Sequence, residues 1–600
     1  MTDPAAIAVP EELAAKLSPT AAANLKRFLT EPQYIAERAR AAALVEAADV
    51  EQIDALFWQV IPFGTGGRRG PMGDFGPATI NERTIAESAQ GLAVYAKQAD
   101  ADIQSGRRAG KAVVAHDTRN NSRLFAEVTA RTLAGNGFEV YLFDSHRSTP
   151  LLSFAVRHLG CDVGVMITAS HNPPADNGFK AYWSTGGQVL APHDKGIIEA
   201  VLAVEEVHQT DLDDPKIHAA GSEVDEAFWK AVTDLSLCDH RDIPALFSPL
   251  HGVGETVCHE VVKRAGFDVE VFEPHRTPDG DFPNVDAHFP NPERTEVFAP
   301  LIEHAKTSGA EVLLASDPDA DRLGVVVKGS DGSFERLSGN QVGALLTDYV
   351  CRQRSSELTA DHFVVYTLVT TPLIGAIARG HGLKVIDQLL VGFKYIGHAM
   401  DEHGPGKFVF GAEESLGYLA GQYARDKDAG IAALYTLEAA AELRAGGKTL
   451  LDRLDELYAE HGYFWEGQTS KVCPGASGAE QIAKICDAFR NAPPQDLAGV
   501  TLTSVRDFGQ HEVRDLPANT KSADLPEPRG NVLMFEGGKG DLTVRIAVRP
   551  SGTEPKIKFY LFAQHAVPDA ASLTTVKSQT AGQINAVKGA LSAWLDGVAG

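Results

Sequence analysis

The sequence predicts a multidomain protein of the mixed α/β class, and two observations carry this prediction. A chain of 600 residues is too long for one hydrophobic core, and its length predicts about four domains. From about residue 56 onward, short apolar runs end in polar or glycine-rich turns and give way to helical stretches. Continuous apolar strands are typical of sheets buried on both faces, and their alternation with helices indicates α/β domains.

Five apolar runs show this alternation, and polar residues follow each of them. The runs are Ala112–Ala115, Asp162–Ile167, Ala245–Ser248, Glu311–Ala315 and His362–Tyr366. Ligands of such sheets collect at the loops that follow the carboxyl ends of strands. The polar residues after these runs are therefore candidates for a functional site.

The two ends of the chain depart from the alternating pattern. Residues 1–55 are rich in Ala and Glu with helical spacing, which predicts an N-terminal helical extension. Near the other end, a polar, proline-rich stretch, Asp515–Gly530, precedes the strand-like runs Asp541–Val548 and Lys556–Phe562. An amphipathic helix is predicted near residues 570–595, so the last part reads as a smaller α+β domain. We predict segments 1–55, 56–222, 223–331, 332–465 and 466–600.

Composition and charge exclude several classes of protein. The hydrophobic content of 44% and the charged content of 22% are those of an ordinary globular protein. A formal net charge of −25 repels phosphate backbones and argues against nucleic-acid binding. The six scattered cysteines form no C-x-x-C pair, which indicates a reducing compartment. No apolar run approaches membrane-spanning length and no signal peptide is recognised, so we predict a cytoplasmic protein without a membrane partner.

The first candidate motif is the segment Thr168–Pro173, with the sequence TASHNP. Ser170 comes just after a predicted buried strand, in a turn that also carries His171. Such a serine can hold a phosphate if a cation and hydrogen-bond donors surround it. The alternative is an ordinary capped turn, because Ser, Asn and Pro all favour turns.

The second motif places Asp317, Asp319 and Asp321 at alternate positions, followed by Arg322. Three carboxylates on an extended loop can meet on one hard cation, and oxygen ligands favour Mg²⁺ or Ca²⁺ over zinc. An EF-hand loop would need Gly and Glu where the chain has Arg322 and Lys328, so that interpretation fails. A solvated acidic turn is the weaker alternative, since clustered carboxylates repel one another unless a cation neutralises them.

Two further motifs suit phosphate and sugar groups. Arg549–Pro555 combines a guanidinium, two hydroxyls and a glycine between strand-like runs, which is either a phosphate cradle or a hairpin loop. Gly411–Gly417 places adjacent acids and a hydroxyl between glycines, as sugar hydroxyls require, although surface loops also use such residues. Phe63–Gly70 is glycine-rich with paired Arg but lacks the ending of a nucleotide P-loop.

Together these motifs resemble the α-D-phosphohexomutase superfamily, which includes phosphoglucomutases and phosphomannomutases. The family order is kept along residues 60–560: TASHNP, DPDADR, GFK, EESLG and RPSGTEP. The segments Asn177–Trp183 and His251–Gly254 are most similar to the long phosphoglucomutase and phosphopentomutase subgroup. The resemblance implies three related α/β domains and a C-terminal domain of TATA-binding-protein-like α+β fold.

The resemblance also implies roles for individual residues. Ser170 corresponds to the phosphoserine, and it binds Mg²⁺ together with Asp317, Asp319 and Asp321. The transferring phosphoryl group is expected to be surrounded by Arg69, His171, Lys180 and Arg322. The sugar is expected to be held by Glu413, Ser415, Lys394 and Lys427, and the second phosphate by Arg549, Ser551, Gly552 and Thr553. The chain departs from the family pattern at Val391, where Thr is usual, and at Arg68, where an apolar residue is usual.

The implied activity is a phosphosugar mutase of carbohydrate metabolism, most closely a phosphoglucomutase. Mg²⁺ is the expected cofactor, a sugar bisphosphate such as glucose 1,6-bisphosphate the expected activator, and sugar monophosphates the expected partners of a monomer or homodimer. Phosphomannomutase, phosphopentomutase and a phosphotransferase that releases a sugar bisphosphate stay open as alternatives. A phosphatase with Asp317 as nucleophile and a non-catalytic sugar-phosphate sensor are further alternatives.

Overall fold

The computed structural model describes residues 9–63, 67–473, 478–525, 529–550 and 556–599. The chain divides into two compact units. Unit 1 comprises residues 1–236, 244–323 and 422–434, and unit 2 comprises residues 237–243, 324–421 and 435–600. Each unit is therefore built from separate stretches of sequence.

Unit 1 begins with a small helical cluster and continues with alternating strands and helices. Its helices are α1 Glu11–Ala14, α2 Pro19–Thr30, α3 Arg38–Ala47, α4 Val50–Phe57, α5 Glu82–Ala99, α6 Ala101–Gln104, α7 Ser122–Gly135, α8 Thr149–His158, α9 His193–Leu202, α10 Ser222–Thr233, α11 Glu260–Arg264 and α12 Thr295–Ser308. Its strands are β1 Gly67–Pro71, β2 Lys111–His116, β3 Glu139–Phe143, β4 Val163–Ile167, β5 Asp176–Trp183, β6 Ile217–Ala220, β7 Ala245–Ser248, β8 Val269–Val271 and β9 Val312–Ser316.

The first six strands of unit 1 form one sheet in the order β1-β5-β4-β2-β3-β6. Its central strands β4, β2, β3 and β6 are parallel, whereas β5 and β1 are antiparallel additions at one edge. Every residue of β4 is buried, as expected for a strand covered on both faces. Apolar side chains from α5 and α7 join those of the strands in one core. This core fixes the positions of the loops that follow β2 and β4.

A second group of parallel strands in unit 1 pairs β7 with β8 on one side and with β9 on the other. All five residues of β9 are buried. The loop after β7 lies directly against the loop after β9, because the backbone N–H of Val253 donates to the carbonyl oxygen of Pro318 at 2.9 Å. A single π-helical turn, Glu255–His259, leads from the first loop into α11.

Unit 2 contains an antiparallel pair, a four-stranded sheet and a larger antiparallel sheet. Its strands are β10 Leu323–Lys328, β11 Phe334–Leu337, β12 Phe363–Thr367, β13 Lys384–Leu389, β14 Phe408–Glu413, β15 Gly417–Ala420, β16 Tyr463–Val472, β17 Asp496–Leu497, β18 Val500–Asp507, β19 Glu512–Asp515, β20 Thr520–Asp524, β21 Leu533–Lys539, β22 Leu542–Pro550 and β23 Lys556–His565. Its helices are α13 Gly339–Gln353, α14 Pro372–Gly380, α15 Phe393–His403, α16 Ala429–Ala445, which starts in unit 1, α17 Leu450–His461, α18 Gly478–Asn491 and α19 Leu573–Ala599.

The four-stranded sheet has the order β13-β12-β14-β15, and the larger sheet has the order β16-β23-β22-β21-β18-β19-β20, with β17 paired to β18. The helices α18 and α19 pack on the larger sheet through Ile485, Ile584 and Leu591. Mixed α/β layers followed by a C-terminal domain of sheet and helices confirm the predicted fold class. Among the described residues, no helix combines the length and the apolar character needed to cross a membrane.

Most predicted elements are present, with differences at polar segments. All five predicted apolar runs form strands, and the N-terminal and C-terminal helices are found. The acidic region near residues 200–225 contains the short strand β6, which pairs with β3. The polar, proline-rich stretch Asp515–Gly530 contains β20, whose residues are all exposed and which pairs with β19. Pairing with a neighbour, which no local pattern reveals, creates both strands.

Candidate active site

Ser170 and the three aspartates meet at the ends of two parallel strands of unit 1. Ser170 is the third residue after β4, and Asp317 immediately follows β9. The Ser170 Oγ donates a hydrogen bond to Asp317 Oδ2 at 2.8 Å, across 147 residues of sequence. Both residues are buried, Ser170 with 2% exposure. The two motifs with the strongest sequence signals therefore form a single site.

The backbone of Ser170 is held in the left-handed region, with φ of 53°. A non-glycine residue there needs support from its surroundings. Thr168 Oγ1 accepts a hydrogen bond from the Ser170 N–H at 2.8 Å and donates to Asp117 Oδ2 at 2.5 Å. This chain of hydrogen bonds fixes the direction in which the Ser170 side chain leaves the loop.

Arg119 supports the same loop through its backbone carbonyls. Its buried guanidinium donates to the carbonyl oxygens of Ser170 at 2.6 Å and Pro173 at 2.8 Å, and also to those of Asn172 and Asp176. The Arg119 Nε lies 3.5 Å from Asp117 Oδ2. Asp117 and Arg119 therefore brace the loop around Ser170 from the end of β2, the neighbouring strand of the sheet.

The three carboxylates are fully buried, and their charges are unevenly balanced. Burial, together with repulsion from Asp319 and Asp321, raises the pKa of Asp317 well above its usual range. Burial also opposes ionisation of Asp321, but Lys427 and Lys180 outweigh it and hold the pKa of that carboxyl below its usual range. Ionising all three groups together therefore requires more positive charge than these side chains supply.

The donor set fits a hard divalent cation. The three carboxylates can place one oxygen each within 4.8 Å of one another. Asp319 Oδ1 and Asp321 Oδ1 are buried and have no hydrogen-bond partner among the described residues. Such oxygens are costly unless a ligand satisfies them. Oxygen-only ligands that need added positive charge are those that Mg²⁺ prefers.

Two lysines from different parts of unit 1 reach the carboxylates. Lys180 lies on strand β5, and its Nζ donates to Asp319 Oδ2 at 2.7 Å and to Asp321 Oδ2 at 3.3 Å. Lys427, predicted at the sugar site, donates to Asp321 Oδ2 at 2.7 Å. Burial opposes the charged form of Lys180, but Asp319 and Asp321 outweigh it and raise the pKa of this lysine, so Lys180 carries positive charge into the site.

Arg322, His171 and Arg69 complete the basic group on the described part of unit 1. The Arg322 Nε lies 3.7 Å from Asp321 Oδ1 and 3.9 Å from Asp317 Oδ2. The His171 Nδ1 lies 3.3 Å from Ser170 Oγ, and burial together with the charge of Arg322 holds the pKa of His171 well below its usual range. His171 is therefore neutral beside the serine.

The paired arginines near the N-terminal glycines have different environments, because they lie on strand β1, where successive side chains alternate between faces. Arg68, the departure from the family pattern, is buried and donates to the Thr84 carbonyl oxygen at 2.9 Å, with Glu87 at 3.7 Å. Arg69 stays open to solvent, yet surrounding protein groups partly desolvate its guanidinium. This desolvation and repulsion from Arg322 lower the pKa of Arg69 to about 10.

Unit 2 carries the other residues predicted to bind the sugar and the second phosphate. Glu413 is buried at the end of β14, and its Oε1 accepts a hydrogen bond from the Gly392 N–H at 2.9 Å. The structure thus joins the GFK and EESLG motifs. Ser415 lies half-buried in the turn after β14, and Lys394 is buried in the first turn of α15. Val391 packs against an apolar cluster that includes Phe508.

Arg549 lies half-buried near the end of β22, opposite Lys558. The other residues predicted for the phosphate cradle, Ser551, Gly552 and Thr553, lie outside the described residues. The described part of the cradle is therefore the arginine alone.

The sequence predicted no individual role for the residues that orient the site. Asp117, Arg119, Thr168 and Thr149 each bind a loop or side chain of the site. Asp117 and Arg119 were noticed only as the polar end of a predicted strand. Their position after a strand is a signal that could have predicted this role. Strand β2 is the parallel neighbour of β4, so the residues after both strands lie at one edge of the sheet.

Comparison with known proteins identifies the family. Models of the phosphoglucomutase/phosphomannomutase α/β/α domains I, II and III match residues 61–208, 226–332 and 338–461. A phosphoglucomutase of Staphylococcus epidermidis is 34% identical over 510 residues, covering 84% of this chain and 90% of the relative. A phosphoglucomutase of Staphylococcus aureus is 33% identical over 531 residues, covering 86% and 92%.

Among solved structures, a putative phosphomannomutase from Thermus thermophilus has a TM-score of 0.62 at 23% identity, covering 88% of this chain and 99% of that one. This structural similarity supports the fold, whereas membership of the family rests on the domain models and the two phosphoglucomutases. The chain therefore belongs to the α-D-phosphohexomutase superfamily, the phosphoglucomutase/phosphomannomutase family of intramolecular phosphotransferases.

Proposed function

We propose that this enzyme is a phosphoserine-dependent phosphosugar mutase that interconverts glucose 1-phosphate and glucose 6-phosphate. The observation that carries the proposal is the hydrogen bond from Ser170 Oγ to Asp317 Oδ2 at 2.8 Å. It places the only serine of the TASHNP motif at the three-carboxylate loop. The choice of glucose rests on the phosphoglucomutases among its relatives.

The reaction is a double transfer that returns the enzyme to its starting state. Phospho-Ser170 gives its phosphoryl group to a free hydroxyl of the sugar monophosphate, and the serine oxygen keeps the bonding electron pair. The resulting bisphosphate reorients in the site and returns its other phosphate to Ser170. A sugar bisphosphate such as glucose 1,6-bisphosphate acts as activator, because it can phosphorylate a serine that has lost its phosphate.

Charge stabilisation is the main task of the protein in such a transfer. The transition state of phosphoryl transfer is loose, so positioning and neutralisation dominate over covalent help. Lys180, Arg322 and Arg69 would bring positive charge to the transferred group, and neutral His171 lies beside the serine. Neutral His171 would take the proton of the attacking hydroxyl, and protonated Lys180 would give one to the leaving oxygen, with the two roles reversed in the second transfer.

A bound Mg²⁺ would be held by Asp317, Asp319, Asp321 and an oxygen of the phosphorylated Ser170. It would supply positive charge that offsets the negative charge of the phosphoryl group. The support is the pair of buried, unsatisfied oxygens on Asp319 and Asp321. In unit 2, Glu413, Ser415 and Lys394 would bind sugar hydroxyls, and Arg549 with Ser551, Gly552 and Thr553 would bind the phosphate that is not transferred.

A nucleophilic role for Asp317 is less well supported. Its Oδ1 accepts hydrogen bonds from the backbone N–H groups of Asp321 at 3.2 Å and Arg322 at 3.1 Å, and its Oδ2 accepts from Ser170. Both oxygens are thus engaged, as suits a ligand rather than an attacking group. We also propose a cytoplasmic location, since all six cysteines are free thiols, as a reducing compartment favours.

The deciding experiment compares turnover and phosphate location in Ser170→Ala and the parent. A coupled assay with glucose, mannose, ribose and deoxyribose 1-phosphates and a trace of the matching bisphosphate would identify the preferred sugar. We expect glucose 1-phosphate to be turned over fastest, Ser170→Ala to be inactive with an unchanged circular dichroism spectrum, and Ser105→Ala, an exposed control, to be fully active.

Mass spectrometry should find the phosphate of the parent on Ser170. Phosphate on Asp317, or appreciable mutase activity in Ser170→Ala, would refute the phosphoserine. Release of a stoichiometric bisphosphate product in place of the isomerised monophosphate would favour the phosphotransferase alternative.

A further inference from the structure

Asp319 is held through one of its two carboxylate oxygens, Oδ2. Its Oδ2 accepts hydrogen bonds from Thr149 Oγ1 at 2.6 Å and from Lys180 Nζ at 2.7 Å. Its Oδ1 is buried and has no hydrogen-bond partner among the described residues. The orientation of this carboxylate therefore depends on what grips Oδ2.

Thr149 makes two contacts to the same aspartate. Its backbone N–H donates to the carbonyl oxygen of Asp319 at 3.0 Å, in addition to the hydroxyl contact to Oδ2. Thr149 is fully buried at the first position of α8, where Ser148 Oγ caps the helix by accepting from the Leu151 N–H. The hydroxyl is thus attached to a rigid point of the scaffold.

Lys180, the other group on Oδ2, is a less selective anchor. Its ammonium also contacts Asp321 Oδ2 at 3.3 Å, so it is shared between two carboxylates. A lysine ends a flexible four-carbon stem, whereas a threonine hydroxyl has one short, restricted torsion. When Lys180 turns toward a phosphoryl group, Thr149 is the contact that still fixes Asp319.

We propose that Thr149 is a positioning residue of the metal site, which orients Asp319 so that Oδ1 faces the cation. This inference rests on the proposed function, because it requires Asp319 to be a metal ligand. Groups that hold a metal ligand from behind typically change metal affinity by about 10- to 100-fold when they are removed.

Helix α8 extends this support to a second ligand. Ser153 Oγ accepts from the Arg425 N–H at 2.8 Å, and the Arg157 guanidinium donates to the carbonyl oxygens of Gln422 and Tyr423. These contacts hold the segment whose Lys427 donates to Asp321 Oδ2. One helix therefore braces Asp319 directly and Asp321 through a neighbouring loop.

The test measures metal binding rather than turnover. Mn²⁺ is titrated into the full-length protein and followed by electron paramagnetic resonance, with the phosphorylation state of all samples matched by intact mass. The variants are Thr149→Val, which removes the hydroxyl at nearly constant shape, Thr149→Ser, which keeps it, and Asp319→Asn. The control is Thr129→Val, since Thr129 is equally buried but its hydroxyl donates only to Phe125 within its own helix, at 2.8 Å.

We expect Thr149→Val to weaken Mn²⁺ binding by about 10- to 100-fold, while Thr149→Ser and Thr129→Val bind like the parent. Parent-like affinity in Thr149→Val, with affinity lost in Asp319→Asn, would overturn the role of Thr149 and leave the metal site standing. Parent-like affinity in Asp319→Asn would overturn the metal site and the inference together. If Thr149→Val does not fold, Thr149→Ala, which adds no group beside the carboxylate, carries the same expectation and the same refutation.

Discussion

At the scale of single residues, the site depends on side chains that hold others in place. Arg119 touches no reacting atom, yet its guanidinium gathers the carbonyl oxygens of the loop around Ser170. A lysine has no planar fork and cannot make these contacts together. A small misplacement of a reacting group can cost about 100-fold in rate.

We therefore predict that Arg119→Lys lowers kcat by about 100-fold while leaving KM for the sugar phosphate largely unchanged. Steady-state kinetics with glucose 1-phosphate provide the measurement. Arg123→Lys is the matched control, because Arg123 is an exposed arginine that follows the same strand. A parent-like kcat in Arg119→Lys would show that the loop keeps its shape without the clamp.

The candidate metal ligands have a local signal in the sequence that the residues supporting them lack. The alternate spacing of Asp317, Asp319 and Asp321 is a local signal, because mutual repulsion demands a cation. Thr149 has no such signal, since Ser148-Thr149-Pro150 is an ordinary start of a helix. Its partner Asp319 lies 170 residues away. A contact of that range is a property of the folded chain, which local patterns do not encode.

At the scale of elements, the loop of the three aspartates, which follows β9, contacts the loop after β7. A Cβ atom on Gly252 would lie 2.3 Å from Pro318 Cα and 2.7 Å from the Pro318 carbonyl oxygen. Both are backbone atoms, so an added methyl group forces the two loops apart. Crowding of this kind typically costs about 1–3 kcal/mol.

We predict that Gly252→Ala lowers the free energy of unfolding by about 1–3 kcal/mol and weakens Mn²⁺ binding. Urea denaturation and metal titration measure the two effects. Gly187→Ala is the control, because its Cβ would meet its nearest atoms at an ordinary 3.5 Å. Unchanged metal affinity in a destabilised Gly252→Ala would separate the loop contact from the metal site.

A second prediction at this scale concerns Glu466 on β16. Burial raises the pKa of Glu466 to about 7. The hydrogen bond that it accepts from the Thr371 hydroxyl, at the start of α14, lowers the pKa but does not cancel the effect of burial. The folded state then holds a proton that the unfolded chain releases near its ordinary pKa of 4.5. Glu466 therefore makes stability fall as pH rises from about 4.5 to 7, by at most about 1.4 kcal/mol per pH unit.

Replacing Glu466 by Gln should remove this slope, so that the variant loses less stability between pH 5 and 8 than the parent. Urea denaturation at several pH values measures the difference. Glu46→Gln, at an exposed position of α3, should keep the parent's slope. An identical pH profile in Glu466→Gln and the parent would mean that the carboxyl titrates normally in the folded protein.

Elements with an apolar signature were predicted well, and those stabilised by neighbours were not. The run Ala245–Ser248 is also the observed extent of β7. Strand β5, which carries Lys180, was not foreseen, because it mixes Asp, Asn and Lys with apolar residues. It forms between β1 and β4, where pairing on both sides satisfies its backbone.

At the scale of the whole molecule, a cation bound by unit 1 should stabilise that unit selectively. A ligand at 100 times its dissociation constant adds about 2.7 kcal/mol to the state that binds it. We predict that Mg²⁺ slows amide hydrogen exchange in residues 168–171, 317–322 and 425–428 and leaves the sheet of β16 and β18–β23 unaffected. Mass spectrometry after exchange, with and without Mg²⁺, provides the measurement.

The variant Asp319→Asn serves as the negative control and should exchange at the same rate in both conditions. Protection that is equally strong in unit 2 would show that the cation acts away from the three-aspartate loop. The division of the sequence into five domain segments stays a prediction, as does the oligomeric state.

The segmented composition of unit 1 has a consequence for its biosynthesis. Residues 422–434 belong to this unit, although about a hundred residues of unit 2 precede them in the chain. A ribosome that has just translated Asp321 has therefore delivered all three carboxylates and Lys180, but not Lys427, which ion-pairs with Asp321 in the finished protein. More than a hundred further codons must be translated before Lys427 is available to pair with Asp321. This acidic loop is therefore one of the last parts of unit 1 to reach its mature state.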